Sequence, residues 1–411
     1  MPTQKKVLII GNGFDLYHEL PTKYTQFIQV LKNIENIKLS DSNDVLFEEL
    51  FFNIERIDNI KEKYDVKNII FEKDNIEKIK KSISNNVWYK LFKDKLDFEN
   101  WIDFENEIKE TLNNLSGVIL KINNHLITRI DTQKIFASHL RYDINSLQIN
   151  KKEINYLIRF GLIKEISSDY FEFDYSFFDK YHDSLIKINS GKIYETAFSE
   201  LNVFADVFYE YLSKIAGTFY GNILSDFSDN FDKINTKIDE FYTFNYTPTL
   251  ENFYNVKNKI NYLHGKIKNT DHNIVLGING IEKDFKDDRI LMFTKYYQKL
   301  FNNTDYSFLN HISVDNSDVY SFIIFGHSLS ENDKSYVEEI FSKSENKKSK
   351  IYVFYISLSD KSQKLKNLLN IIGKETIERY MKNNKLEFVY IHDKSISEVL
   401  NQIPKSTSDF R

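Results

Sequence analysis

The chain of 411 residues contains no cysteine. Disulfides are therefore excluded, and so is every metal site built on thiolates, four-Cys zinc modules included. It also lacks any run approaching the roughly 20 apolar residues of a membrane span. No secretory leader is visible, because Met1 to Lys6 lead straight into a short apolar strand, so a cytoplasmic protein without membrane contact is expected. Nor is there a surplus of one charge: 55 basic and 60 acidic residues leave a formal net charge of −5. The basic footprint of a nucleic-acid binder is missing, which argues against nucleic acid as a partner.

What is present is a large apolar inventory. Hydrophobic residues make up 41% of the chain, with 34 Phe and 26 Tyr. That is enough for a sizeable core and excludes wholesale disorder. Strand-like runs cluster at the two ends: Lys6 to Ile10, then Glu240 to Phe244, Ile260 to Leu263, Asn273 to Leu276, Val319 to Phe325, Ile351 to Ile356 and Leu386 to Ile391. Most are apolar on successive rather than alternate positions, which suits strands buried on both faces of a parallel sheet. The middle reads as helix. Tyr24, Phe27, Ile28, Leu31 and Ile34 recur at helical spacing after Pro21-Thr22, as do Tyr194, Ala197, Leu201, Phe204, Ala205, Phe208 and Leu212, and Val118 to Ile130 is amphipathic. The Asp41 to Asn86 region is charged and only weakly periodic, and Lys405 to Arg411 reads as a frayed tail. The expected architecture is an α/β fold: a Rossmann-like parallel sheet over residues 1–21 and 236–400, interrupted after its first strand by a helical lobe over 22–235, with a tail over 401–411.

In a doubly wound sheet, ligands bind beyond the carboxyl ends of the strands. The unusual clusters fall at such ends: Gly11-Asn12-Gly13, Asn245-Tyr246-Thr247, His264-Gly265 and Gly326-His327-Ser328. Glycines there let a backbone approach a phosphate, or simply make a tight turn; the third position of a full dinucleotide fingerprint is Leu16. Asp15 would repel an anion, so it caps backbone N–H groups or meets a ribose hydroxyl. His264 suits proton transfer near neutral pH, or else bonds a loop carbonyl. Asn245 can bind a sugar hydroxyl, a carboxamide or a water, or form a turn before Pro248. Ser328 offers a hydroxyl to ribose or phosphate, or caps a helix, and Asp333 is placed to cap the helix through Tyr336, Val337 and Ile340. His18, near the glycine loop, either reaches the site or, as the preferred reading, is a bland residue outside it. Trp101 and Glu105 read as lobe packing, and Lys295, Tyr296, Tyr297 and Lys299 as solvated packing rather than a basic aromatic strip. No His/Asp/Glu cluster has metal-ligand spacing, so no metal is expected, and neither G-x-S-x-G nor a P-loop occurs.

VLIIGNGFDLYHELPTKYTQF, FYTFNYTPTLE, NYLHGKI and FIIFGHSLSENDKSY together resemble the motifs of the AbiH family, bacterial proteins of phage abortive infection. The same series is similar to the sirtuin-like NAD-binding fold: a glycine loop, then an Asn, a His-Gly and a Gly-x-Ser-Leu. That resemblance implies that Gly11, Asn12 and Gly13 hold the diphosphate and nicotinamide end of NAD, and Asp15 joins them as a cofactor-binding residue through a ribose hydroxyl. It places Asn245 and His264 at the nicotinamide ribose, and Gly326 with Ser328 at the adenosine half. Without cysteine the chain lacks the zinc module of sirtuin deacylases, and Tyr246 stands as in defence-associated relatives that hydrolyse NAD. The resemblance thus implies an NAD glycohydrolase that takes NAD as substrate, answers a phage-derived trigger and assembles as a homo-oligomer. The alternative is a sensor that binds NAD or an ADP-ribose-type nucleotide without turnover and switches the helical lobe.

Overall fold

Six parallel strands carry the architecture: β1 (Gln4–Ile10), β2 (Glu240–Thr243), β3 (Ile260–Tyr262), β4 (Val319–Phe325), β5 (Lys350–Tyr355) and β6 (Leu386–Tyr390). They pair in the order β3-β2-β1-β4-β5-β6. The chain fills one half of the sheet from β1 outward to β3, then returns and fills the other from β4 to β6. The order reverses between β1 and β4, where a doubly wound sheet opens its ligand crevice. The structure is a computed structural model that describes residues 4–39, 44–99, 103–130, 141–143, 149–167, 170–181, 184–224, 237–267, 273–280, 288–304, 308–310, 312, 319–346 and 348–403.

The continuous apolar runs are explained by cover on both faces. Every residue of β4 is buried, and β1 lies in register with it from Gln4↔Val319 to Ile10↔Phe325. On one face Val7, Ile9, Phe322, Ile324, Ile351 and Val353 pack with Val337, Ile340, Leu368 and Tyr380. On the other, Leu8, Ile10, Phe241, Ile323 and Phe354 pack with Phe14, Leu250, Tyr254, Val399 and Leu400. The helices that supply these side chains are α1 (Gly13–Tyr17), α2 (Thr249–Tyr254), α3 (Lys334–Lys343), α4 (Leu358–Ile372), α5 (Lys374–Lys382) and α6 (Ile396–Gln402). The α/β reading and the parallel sheet hold.

The chain divides into two compact units, Met1–Lys80 with Val207–Val275 and Lys299–Arg411, and Lys81–Asp206 with Leu276–Gln298. The first contains the sheet. It also contains the helix Tyr24–Asn36, whose Phe27 lies against Phe208 and Tyr211. Five turns of regular helix over Ser190–Glu210 give way to a π-helical turn at Tyr211–Ile215. The second unit holds the long helix Phe104–Ile130. It also holds two small antiparallel sheets, one of Arg141–Asp143, Ile163–Ser167 and Tyr170–Phe173, the other of Phe178–Tyr181 and Ser184–Ile188. Phe171 and Phe173 are buried while Glu172 is exposed, a period of two that a helix reading of this stretch overlooks. The weakly periodic region contributes short helices and one antiparallel pair, Val45–Leu46 with Ile70–Phe71.

Asn273 to Leu276 is not a strand. One backbone bond, Val275 N–H to the His264 carbonyl, stands where a ladder would run, and side chains do much of the rest: Gln298 receives the Leu276 N–H on Oε1 and donates Nε2 to the Leu276 carbonyl, and Asn302 donates to the Ile274 carbonyl. The strip around Lys295 differs as well. Lys295 and Lys299 are buried, Lys295 in an ion pair with Glu105 at 2.7 Å and Lys299 over the Tyr336 ring, whereas Tyr296 is exposed. Burial of a lysine ammonium demands such partners. Trp101 and the tail residues 404–411 lie outside the described residues.

Candidate active site

At the carboxyl end of β1 the backbone runs directly over the turn that leaves β4. The Gly11 N–H donates to the Phe325 carbonyl at 3.0 Å, and the Gly13 N–H to the Gly326 carbonyl at 2.8 Å. A Cβ on Gly13 would stand 2.7 Å from the Gly326 Cα, and one on Gly11 2.7 Å from the His327 Cα. Gly326 adopts φ +69°, and a Cβ there would stand 2.2 Å from the Phe14 nitrogen. Steric contact between two strand ends therefore accounts for these three glycines, at the point where strand order reverses. Asn12 is held beside them, donating Nδ2 to the Thr22 carbonyl and accepting from the Thr22 hydroxyl.

Asp15 points inward from α1. Its carboxylate accepts from the Thr247 hydroxyl at 2.5 Å and the Thr249 hydroxyl at 2.7 Å. Tyr220 in turn lies 2.8 Å from Thr249 Oγ1, which has already given its proton to Asp15, so the phenol donates. Burial raises the Asp15 pKa to about 6, against the lowering effect of Thr247, Thr249 and Asn245. The side chain thus ties α1 to the loop after β2 and caps no backbone N–H in α1. His18 lies fully in the core: Nδ1 meets the Phe14 carbonyl at 2.6 Å and Nε2 meets the Tyr254 hydroxyl. Burial lowers its pKa to about 4, so it is a neutral packing histidine that does not reach the site.

These two groups act oppositely on stability. Asp15 contributes below its ordinary value of 3.8, and that contribution is lost as pH rises through about 6. His18 contributes above its ordinary value of 6.5, and that contribution is lost as pH falls through about 4. Each shift of roughly two units corresponds to about 3 kcal/mol, so between pH 4 and 6 the two nearly cancel. Asp15→Asn should remove one side of this balance. Urea unfolding of that variant should show stability rising with pH between about 4 and 6 more steeply than the parent's does; parallel profiles would refute the assignment.

Asn245 follows β2, its N–H held by the Thr243 hydroxyl at 2.9 Å. The side chain is only 4% exposed, and neither carboxamide atom meets a protein group in hydrogen-bonding geometry. The amide still lies near enough to Asp15 to lower its pKa. An unmatched buried amide costs roughly 1–3 kcal/mol, which a ligand bearing a donor and an acceptor would recover.

His264 stands level with Asn245 on the neighbouring strand, each two residues beyond the register pair Tyr262↔Thr243. Its carbonyl accepts from the Val275 N–H at 2.9 Å. Gly265 makes the sharp exit at φ +96°, where a Cβ would stand 1.9 Å from the Asn273 carbonyl oxygen. The imidazole is 6% exposed, with Nε2 3.5 Å from Asp333 Oδ1. Asp333 Oδ2 is 3.2 Å from Nε2 of His327, itself 5% exposed. Phe244 packs against both imidazoles, with ring centroids 5.2 Å from His264 and 4.1 Å from His327. One carboxylate thus lies between two histidines, walled by an aromatic ring. Such a carboxylate orients an imidazole and stabilises its charged form.

Asp333 occupies the N-cap position of α3, but its side chain does not cap the helix; the histidines hold it instead. Ser328 is exposed and caps no helix; its carbonyl accepts from Asn367 at 3.0 Å. The structure therefore brings Gly11 and Gly13 to Gly326, Asn245 to Asp15, and His264 to Asp333 and His327. Sequence reasoning marked Gly326-His327-Ser328 as a strand-end cluster but gave His327 no role of its own and read Asp333 as a cap, although both lie in one stretch, GHSLSEND. A histidine and an aspartate six residues apart across a turn were the available signal. Among the described residues, no group of three or more His, Cys, Asp or Glu is arranged to hold a metal ion, and no helix is long and apolar enough to cross a membrane.

The family model described as Bacteriophage abortive infection AbiH matches residues 7–355, from within β1 to the end of β5. No curated protein and no solved structure matches the chain.

Proposed function

The chain belongs to the AbiH family of bacteriophage abortive infection, and from that premise we propose that it acts in phage defence by hydrolysing NAD to nicotinamide and ADP-ribose. The observation that carries the proposal is His264, facing the Asp333 carboxylate at 3.5 Å and level with the buried, unmatched Asn245 amide. A general base and a polar positioning group at the carboxyl ends of neighbouring parallel strands are what hydrolysis of a nucleotide at this edge requires. The sirtuin-like assignment of the sheet, with Gly11, Asn12, Gly13, Asp15, Gly326 and Ser328 along the dinucleotide, is part of the same proposal.

In the proposed step the bond between the nicotinamide nitrogen and C1′ of the ribose breaks. Its electron pair stays on the nitrogen, so neutral nicotinamide leaves. C1′ passes through an oxocarbenium-like state and takes the oxygen of a water. His264 accepts that water's proton, and Asn245 aligns the water or the ribose hydroxyls. The leaving group is cationic before the bond breaks, so no strong general acid is needed. Unchecked NAD loss would kill the host, so the proposal includes a silent resting state, released by a phage-derived trigger through residues 22–235 or through homo-oligomer assembly.

A second reading is a nucleotide sensor without turnover. It is favoured by the Gly11 and Gly13 amides, which are spent on the β4 turn and leave no open phosphate nest at those two positions. Nucleotide chromatography on cells with and without phage challenge separates the two. The hydrolase reading expects NAD to fall and nicotinamide and ADP-ribose to rise in cells with the parent chain, and not with Asn245→Ala or His264→Ala. Unchanged NAD during a challenge that still arrests growth would sink it and leave the sensor.

A further inference from the structure

We propose that Asp333 is a positioning residue for His264, and that His327 holds the Asp333 carboxylate in place for that task; the role rests on the hydrolase reading, whereas the geometry does not. The Leu329 N–H donates to His327 Nδ1 at 3.0 Å. That nitrogen is therefore the acceptor, so the neutral ring carries its proton on Nε2, 3.2 Å from Asp333 Oδ2. The turn is shaped around this contact. Leu329 holds φ +54°, a left-handed conformation that a leucine adopts only at a cost, and in it the N–H faces the imidazole.

With Oδ2 engaged by His327, Oδ1 faces His264 Nε2 at 3.5 Å. The separation is longer than a closed hydrogen bond, as is common before substrate binds. A carboxylate in that position selects the His264 tautomer with the proton on Nε2, which makes Nδ1 the basic nitrogen. It also raises the His264 pKa, because it favours the imidazolium. Among the described residues, the rings of Tyr246 and Tyr336 also face His264, at 6.5 and 6.1 Å, with Phe244 at 5.2 Å. Lys299 lies on the Tyr336 ring at 4.3 Å, the nearest cation in this set. An Asp333 that served only as a helix cap or a surface ion pair would not be buried between two histidines.

The test follows His264 itself, by NMR of the full-length chain with isotope-labelled histidine, its signal identified by its loss in His264→Ala. In the parent the ring nitrogens should show the Nε2-protonated tautomer. Asp333→Asn should lower the His264 pKa by about one unit or more, and Asp333→Glu should restore part of the shift. His327→Gln can accept from Leu329 and donate to Asp333, so it should leave the His264 titration near the parent; His327→Phe should move it as Asp333→Asn does. If Asp333→Asn does not fold, the His327 pair decides alone. A His264 titration unchanged by Asp333→Asn, or by His327→Phe, in a folded protein would overturn the proposal. None of these measurements needs turnover, so a shifted pKa in a protein that leaves NAD intact during a phage challenge that still arrests growth would refute the hydrolase and keep the positioning role. Where NAD is hydrolysed, the acid limb of the kcat profile should move down with the pKa while KM holds.

Discussion

Gly326→Ala should leave little folded protein. The new Cβ would stand 2.2 Å from the Phe14 nitrogen and 2.5 Å from the Gly13 carbonyl carbon, both main-chain atoms with no rotamer to yield. Relief requires the turn after β4 to lift away from the turn after β1, which breaks the Gly13 to Gly326 hydrogen bond at the sheet's centre. A φ of +69° adds backbone strain for alanine. The sum is more than about 4 kcal/mol, against the roughly 5–15 kcal/mol that holds a typical domain together. Gly161→Ala is the control: φ is +72° there too, but nothing lies within 4 Å of the added carbon. It should cost about 1 kcal/mol, the strain alone. Urea unfolding followed by circular dichroism measures both; equal losses in the two variants would mean that the crossing is not tight.

Purified His264→Ala should release nicotinamide from NAD about 10²–10⁴-fold more slowly than the activated parent, the usual worth of a positioned general base. The loss should fall on kcat, because the imidazole acts on the attacking water and contributes little to holding the dinucleotide. The expected thermal stability is close to the parent, since Phe244, Tyr336 and Leu263 keep that end of the sheet packed. A variant that unfolds says nothing about catalysis, so melting temperature is read first. Full turnover in a folded His264→Ala chain would remove this histidine from the mechanism. Asp15 offers a contrast within the same region: it is 1% exposed and spends both oxygens on threonine hydroxyls. Asp15 when changed to Asn removes a buried titrating carboxyl, so it should alter the pH dependence of stability.

The α/β class, the helix from Tyr24, the long helix from Ser190 and five of the six later strand-like runs were legible in the chain, as was the clustering of unusual residues at strand ends. The reason is local. Val7 to Ile10 and Val319 to Phe325 are apolar on consecutive positions because both faces of a central parallel strand are covered. Helices with one apolar stripe declare themselves by their period. The error at Asn273 to Leu276 has the same physics in reverse: its burial pattern resembles a strand's, but Gln298 and Asn302 take much of the ladder's place, and a side-chain amide 22 residues away leaves no local pattern.

The sequence by itself determined which residues are apolar at which period, and therefore that a parallel sheet forms and where its strands end. Only the tertiary structure decided what those ends touch. That Gly13 needs no side chain because Gly326 lies on it depends on a contact across 313 positions, created when β4 docks beside β1. That Asp333 serves two histidines rather than its own helix depends on β3 and β4 ending on either side of it. Burial then turned chemically similar residues to different ends: His18 is locked neutral in the core, while His264 and His327 share a carboxylate at the sheet's edge. Periodicity is a property of neighbours along the chain, whereas a pKa, a tautomer and a steric crossing are properties of neighbours in space.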